Sequence, residues 1–304
     1  MTFRYFLFLS IFISNYSLIA NVRNVPSNYN TIQIALNACL NGDTVLVDTG
    51  TYYENIIWPN TMNIKLFSMG DSSNTIIDGN QNGRVITFNA WIGISNDTRV
   101  NGFQIKNGLS NGGAGIKVEN NSPIFEKISV HNNYSNGDGG GICLINTNTS
   151  ILFSSIYENE IDTAVYARGG GIFIAEGQLY LEDVQMNNNK CYSSSWAEGG
   201  GMYIYNAQVE LKNCTLLNNN IFSLAYGYGA GMYIDKSTVN IEDAEISYNT
   251  IHSDNWAYGN GVWGFTSELT LTNIVLSHNR ADTISKWYKG GGAYLDDCDC
   301  TMKN

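Results

Sequence analysis

The sequence predicts an all-β solenoid, a parallel β-helix, and three observations predict it. The first is a period. Glycine-rich tripeptides, each followed by an apolar residue, begin at Gly113, Gly139, Gly169, Gly199, Gly229, Gly259 and Gly290, with successive spacings of 26, 30, 30, 30, 30 and 31 residues. A constant spacing of this size marks stacked repeats. The second is alternation. The fourth position of the repeat reads Ile116, Ile142, Ile172, Met202, Met232, Val262, Ala293, and the sixth reads Val118, Leu144, Ile174, Ile204, Ile234, Gly264, Leu295. Two mostly apolar columns two residues apart, with Lys117, Cys143, Phe173, Tyr203, Tyr233, Trp263 and Tyr294 between them, describe a strand with one face inward. Further apolar columns begin at Phe125 and at Val130, so each repeat carries three strand-like segments. The third observation is an asparagine in every full repeat: Asn133, Asn159, Asn189, Asn219, Asn249, Asn279. Asparagine tolerates the left-handed backbone of a tight turn, and its amide can donate to the identical amide one coil away. A helix-pair repeat gives no reason for this column, because asparagine is a poor helix former.

The string Gly139-Gly140-Gly141-Ile142, followed by Ile156-Tyr157-Glu158-Asn159, resembles the paired motifs of chlamydial polymorphic outer membrane protein repeats, although the phenylalanine those repeats place before the asparagine is aliphatic here. More broadly the chain resembles the pectin-lyase-like superfamily, which implies a single-stranded right-handed parallel β-helix. The segments Thr31-Ile32-Gln33, Gly42-Asp43-Thr44-Val45 and Gly50-Thr51-Tyr52-Tyr53-Glu54-Asn55 are similar to the first coil of pectin methylesterases. In that family this region is a cap and first rung and carries no catalysis.

Along the chain, residues 1–20 read as a secretory signal: Arg4 opens a short positive start, an apolar run extends from Tyr5 to Ile19, and Ala20 is a candidate cleavage residue. Residues 21–60 form the N-terminal cap and first coil. Ile32, Leu36 and Cys39 are at helical spacing after Asn30 as N-cap and before Asn41-Gly42 as a stop, so a short capping α-helix is expected over Thr31 to Leu40. Residues 61–112 hold less regular coils, in which Asp78-Gly79-Asn80 is a turn with the carboxylate as turn acceptor. Residues 113–304 hold the regular coils. The last of these breaks off part way, which reads as truncation of a longer chain.

Only 14 % of the residues are charged, against about 25 % in ordinary globular chains, and the net charge is −11. With no basic cluster, neither nucleic acid nor an anionic membrane is an expected partner. No second apolar run could span a membrane. Cys39, Cys143, Cys191, Cys214, Cys298 and Cys300 share no column, so no regular disulfide framework is expected, and Cys298-Asp299-Cys300 alone is too little for zinc.

Candidate function sits on two aromatic columns. Three residues before each glycine start stand Tyr166, Trp196, Tyr226, Trp256 and Trp287, in what reads as a loop. The outward strand positions supply Tyr203, Tyr233 and Trp263 beside Phe173 and Tyr294. Either the loop rings fold onto the strand rings and shield them, or they form an exposed strip that stacks on sugar rings. Immediately before the glycines, Asp138, Arg168 and Glu198 stack as acid, base and acid. They read as an exposed ion-pair ladder, or as acid/base groups acting on a glycan. His131, His252 and His278 occupy different repeat positions and read as surface residues.

Pectin methylesterase segments are absent, and the scattered arginines do not match the face that pectate lyases use. The expected function is therefore a secreted or cell-surface binding or adhesion module whose partner is a polysaccharide or cell-surface glycan, without metal or cofactor. The alternatives are a polysaccharide lyase or glycoside hydrolase of the same fold, with Ca²⁺ as a cofactor in the lyase case, and a structural spike or spacer.

Overall fold

A computed structural model describes residues 20–89, 97–163, 165–282 and 285–303. The secretory-signal reading falls on residues outside these, apart from Ala20. The described chain winds as a β-solenoid in which every strand pairing is parallel and equivalent residues of successive coils are direct neighbours.

Three inward columns run through the molecule. One follows Ile56, Ile86, Ile116, Ile142, Ile172, Met202, Met232, Val262 and Ala293. A second follows Val45, Leu66, Val100, Phe125, Ile151, Leu181, Leu211, Ile241, Leu271 and Met302. A third runs from Tyr52 through Ile77, Ile105, Val130, Ile156, Met186, Leu216 and Ile246 to Leu276. Together, apart from Met302, they make one continuous apolar core. The two coils at Ile56 and Ile86 thus keep the register of the later ones, although they lack the glycine group that reveals those in sequence.

The glycine group exists because there is no room beside it. Gly169 has φ +70°, and a Cβ there would lie 2.3 Å from the Ile172 carbonyl oxygen. A Cβ on Gly171 would lie 2.6 Å from the Gly201 oxygen and 3.0 Å from Asn189 Nδ2.

Each buried asparagine is satisfied by the coil on either side. Asn189 Nδ2 donates to Asn219 Oδ1 at 3.0 Å and to the Ile156 carbonyl at 2.9 Å, and its backbone N–H donates to Asn219 Oδ1 at 3.0 Å. The pattern holds from Asn133 to Asn279. The left-handed turn residue, however, is the one before it. Asn132, Glu158, Asn188, Asn218, Tyr248 and His278 have φ between 52° and 59°, whereas the ladder asparagines are not left-handed. The column is asparagine for its amide, and the strained backbone position accepts whatever residue stands there.

The N-terminal helix spans Ile32–Asn37, shorter than expected, and its N-cap is Thr31 rather than Asn30. Thr31 has extended backbone and accepts the Ile34 N–H through Oγ1 at 3.1 Å, as an N-cap does. Glu54 accepts from the Ile32 and Gln33 amides at 2.8 and 2.9 Å. Ile32, Ala35 and Leu36 are buried in the core. Asp78 is the expected turn acceptor: its carboxylate takes the Asn80 N–H and the Asn107 amide, both at 2.8 Å.

Each regular coil has more than three strand segments. What reads as a loop after the asparagine is a flap of two further parallel ladders, one of seven strands that includes 160–163, 190–193, 220–223 and 250–253, and one of five strands, 166–168, 196–198, 226–228, 256–258 and 287–289. Between them Ile161, Cys191, Ile221 and Ile251 pack on Ala167, Ala197 and Ala257 as a second small core. Cys191 is therefore buried on a strand. Cys143 faces outward from its strand but is covered. All six cysteines are free thiols.

Candidate functional site

In the first four strands of the flap's five-stranded ladder, the small middle residues Ala167, Ala197, Gly227 and Ala257 face the second core, so their neighbours on each side face away from it. Tyr166, Trp196, Tyr226, Trp256 and Trp287 are register partners in one row, and Arg168, Glu198, Tyr228, Tyr258 and Lys289 form the row beside it. The second row meets the outward ladder of the main sheet: Tyr228 packs on Trp263 with centroids 5.4 Å apart, and Tyr258 on Tyr294 at 5.4 Å.

The two aromatic columns differ in geometry. In the strand column, Phe173 to Tyr203, Tyr203 to Tyr233 and Tyr233 to Trp263 are 5.1, 4.7 and 4.4 Å apart with interplanar angles of 4°, 9° and 17°. Near-parallel rings one coil apart use both faces on each other. Tyr203 and Tyr233 are 5 % and 8 % exposed. In the flap column, the Tyr166–Trp196, Tyr226–Trp256 and Trp256–Trp287 centroids are 6.1, 6.3 and 6.1 Å apart and tilted by 37°, 28° and 31°, with only Trp196–Tyr226 closer at 4.3 Å. Such rings are offset and leave part of each face free. Tyr166 is 50 % and Trp287 61 % exposed, and the three between are half-buried.

The charged trio does not form an exposed ladder. Arg168 clamps Asp138 through two hydrogen bonds, Nε to Oδ1 at 2.8 Å and Nη2 to Oδ2 at 2.6 Å. Its guanidinium also lies 5.5 Å from the ring centroids of both Phe173 and Tyr203. Glu198 is 8 % exposed. Burial pushes its carboxyl up to about 7, against the opposing pull of Arg168 and with the help of Asp138 and Asp235. A buried acid between a guanidinium and tyrosines is chemically able to hold or release a proton near neutrality.

Three features were not evident in the letters. His131 is 7 % exposed, stacked on Tyr157 at 4.6 Å, and burial lowers its pKa, so it is not a surface residue; His252 is half-buried and His278 exposed. Asp235 carries a buried carboxylate oxygen without a hydrogen-bond partner, and burial raises its pKa. A cleft of about 200 Å³ bounded by Gln178, Tyr180, Gln208 and Glu210 includes none of the aromatic or charged candidates. Among the described residues, no three His, Cys, Asp or Glu side chains converge to hold a metal ion, and no helix is long and apolar enough to cross a membrane.

Parallel coils with inward aliphatic columns and an asparagine turn ladder define a β-helix solenoid. Residues 114–304 match the family described as right handed beta helix region, and the chain belongs to that family. No curated protein matches by sequence. Similar solved structures include pectin methylesterase from carrot, 11 % identical over 93 % of this chain and 89 % of that one with a TM-score of 0.44. They also include polygalacturonase from Erwinia carotovora, 14 % identical over 91 % and 96 % with a TM-score of 0.36. The A-module of a mannuronan C-5 epimerase from Azotobacter vinelandii is 10 % identical over 90 % and 91 %, with a TM-score of 0.31. Similarity at that level carries no argument about activity.

Proposed function

We propose that the chain is an exported or cell-surface carbohydrate-binding and adhesion module whose ligand, a polysaccharide or cell-surface glycan, lies along the flap column from Tyr166 to Trp287. The observation that supports this reading is the offset, half-open stacking of Tyr166, Trp196, Tyr226, Trp256 and Trp287 in one register row. Ring faces repeated once per coil suit a ligand that itself repeats, and exposed aromatic surface of this extent marks binding. Tyr203 and Tyr233 back the site from beneath and do not touch the glycan, while Trp263, half-buried at the end of the stacked strand column, borders it. A glycan array probed with the full chain tests the reading, with the Trp196→Ala, Trp256→Ala double variant as control. Binding that falls at least roughly tenfold in the variant supports it. No binding to any glycan, or undiminished binding by the variant, refutes it.

The environment of Glu198 favours one rival, cleavage of a polysaccharide with Glu198 as acid, Arg168 as electrostatic stabiliser and Asp138 holding Arg168 in place. Release of reducing or unsaturated ends from acidic polysaccharides, lost in both Glu198→Gln and Arg168→Ala, would replace binding by catalysis.

A further inference from the structure

The flap and the main sheet form a V in cross-section, with the glycine group at its vertex. There Arg168 lies against Phe173 and Tyr203, and Tyr228 against Trp263. Side chains two residues apart on a strand share a face. The ring row from Tyr166 to Trp256 is therefore the inner side of one arm. The inner side of the other is the row two residues beyond the strand rings, in which Ala175, Tyr205, Asp235 and Phe265 are register partners. Tyr226, Trp256, Tyr205 and Asp235 are half-buried and Phe265 is exposed, so the arms do not close on each other. Tyr205, Asp235 and Phe265 each have a coil on both sides, so a sheet end is not what exposes them.

The second arm brings a carboxylate to the groove. Among the described residues no donor reaches the buried Oδ1 of Asp235, which leaves that oxygen's acceptor sites unused. Each cation along the groove is already engaged. Lys117 pairs with Glu119 at 3.0 Å, Arg168 is held by Asp138 and by the rings of Phe173 and Tyr203, and Lys289 lies over the rings of Tyr258 and Tyr294. Lys236 holds its ammonium 5.5 Å from the Tyr205 ring centroid and offsets the charge of its neighbour Asp235. Glu198 adds a second acid at the vertex. A uronate carboxylate entering here would give up water beside two acids without gaining a free cation, which is unfavourable. A sugar hydroxyl can instead donate to Asp235 in a hydrogen bond strengthened by the charge, while rings on both arms cover the apolar faces of the sugar.

We infer that the groove takes a neutral, hydroxyl-rich glycan chain and rejects polyuronates, with Tyr205, Asp235 and Phe265 as the second wall of the site and Asp235 as its selective residue. This rests on the flap column being a glycan site and adds the class of glycan. Both walls repeat at roughly 4.8 Å per coil, so the chain lies along the solenoid axis. Its selectivity comes from the one coil that carries Asp235, because the flanking positions Tyr205 and Phe265 hold no charge.

The full chain is probed on an array that carries neutral β-glucan, xylan and mannan hexasaccharides beside hexagalacturonate, in chelator-containing buffer at about 0.15 M salt, where long-range charge effects are screened. The expected result is binding to at least one neutral probe and none to hexagalacturonate. Asp235→Asn, which keeps the shape of the side chain, should weaken neutral binding roughly tenfold, and Tyr205→Ala by a similar factor. Hexagalacturonate bound as strongly as any neutral probe would overturn the inference, and the Trp196→Ala, Trp256→Ala double variant would then show whether the flap-column reading survives. Neutral binding undiminished in Asp235→Asn would overturn the role of that residue, and undiminished in Tyr205→Ala, the second wall. No binding to any probe would overturn both the inference and the reading beneath it. The comparison of neutral with anionic probes uses the unaltered chain, so a misfolded variant cannot imitate its result.

Discussion

Two aromatic columns run side by side through the regular coils with the same period and nearly the same letters, yet they sit in different physical states. Tyr203 and Tyr233 lie face to face with their neighbours and are shut off by the flap. Trp256 and Trp287, across from them on the flap, are offset, tilted and open to solvent on one side. The difference is set by what lies opposite. Outward rings of the main sheet are covered by the flap row of Tyr228 and Tyr258, whereas the flap column meets only side contacts from its own ladder, such as Arg168 at Tyr166 and Tyr258 edge-on to Trp256, and stays half open. Stacking in register makes a solenoid rigid, and the function of a row then depends on the layer above it.

If the closed column is structural, Tyr233→Ala should lower unfolding stability by about 3–5 kcal/mol, the cost of removing a buried aromatic, as read by chemical denaturation. A smaller loss, on the order of 2–4 kcal/mol, is expected for Asn219→Ala. That change leaves the Asn189 amide groups and the Met186 carbonyl without their partner in a buried site.

Glu198 separates the two columns by pH. Its folded pKa of about 7 lies above the unfolded carboxylate value near 4.3. The folded state therefore holds the extra proton, and stability is greatest below about pH 4.3. It falls as pH rises through 7, in all by roughly 3–4 kcal/mol. Glu198→Gln should remove that slope, which thermal melts between pH 4 and pH 8 can measure. His131 acts in the opposite sense. Burial depresses its folded pKa, so its contribution is lost as pH falls below its unfolded value, and His131→Phe should flatten the acid limb. The smallest stability change belongs to the open column: Trp256→Ala should cost only about 1–2 kcal/mol while glycan affinity, measured by calorimetry, drops at least roughly tenfold.

Repeat length, inward columns and the asparagine ladder were legible because each rests on one residue's own chemistry: a glycine with no room for Cβ, aliphatic side chains facing one core, an amide that both donates and accepts. The two coils at Ile56 and Ile86 were not, since their register is kept by hydrogen bonds that impose no letter. The flap was hidden because its strands are two to four residues long and its core is made of alanines and single residues such as Ile161, too short a pattern to show a period. Burial of Glu198 and His131 could not be read from their letters, which are usually exposed. Their cover comes from residues remote in sequence. The same holds for the site: the letters located the two aromatic columns, but only the third dimension separates the row that is packed from the row that is free.

The most direct measurement is hydroxyl-radical footprinting of the folded chain with peptide mass spectrometry. Tyr166, Trp256 and Trp287 should oxidise rapidly, while Tyr203 and Tyr233 stay protected until the chain is denatured. Equal rates in the two columns, or protection of the flap column in the free protein, would contradict the division between a packed row and an open one.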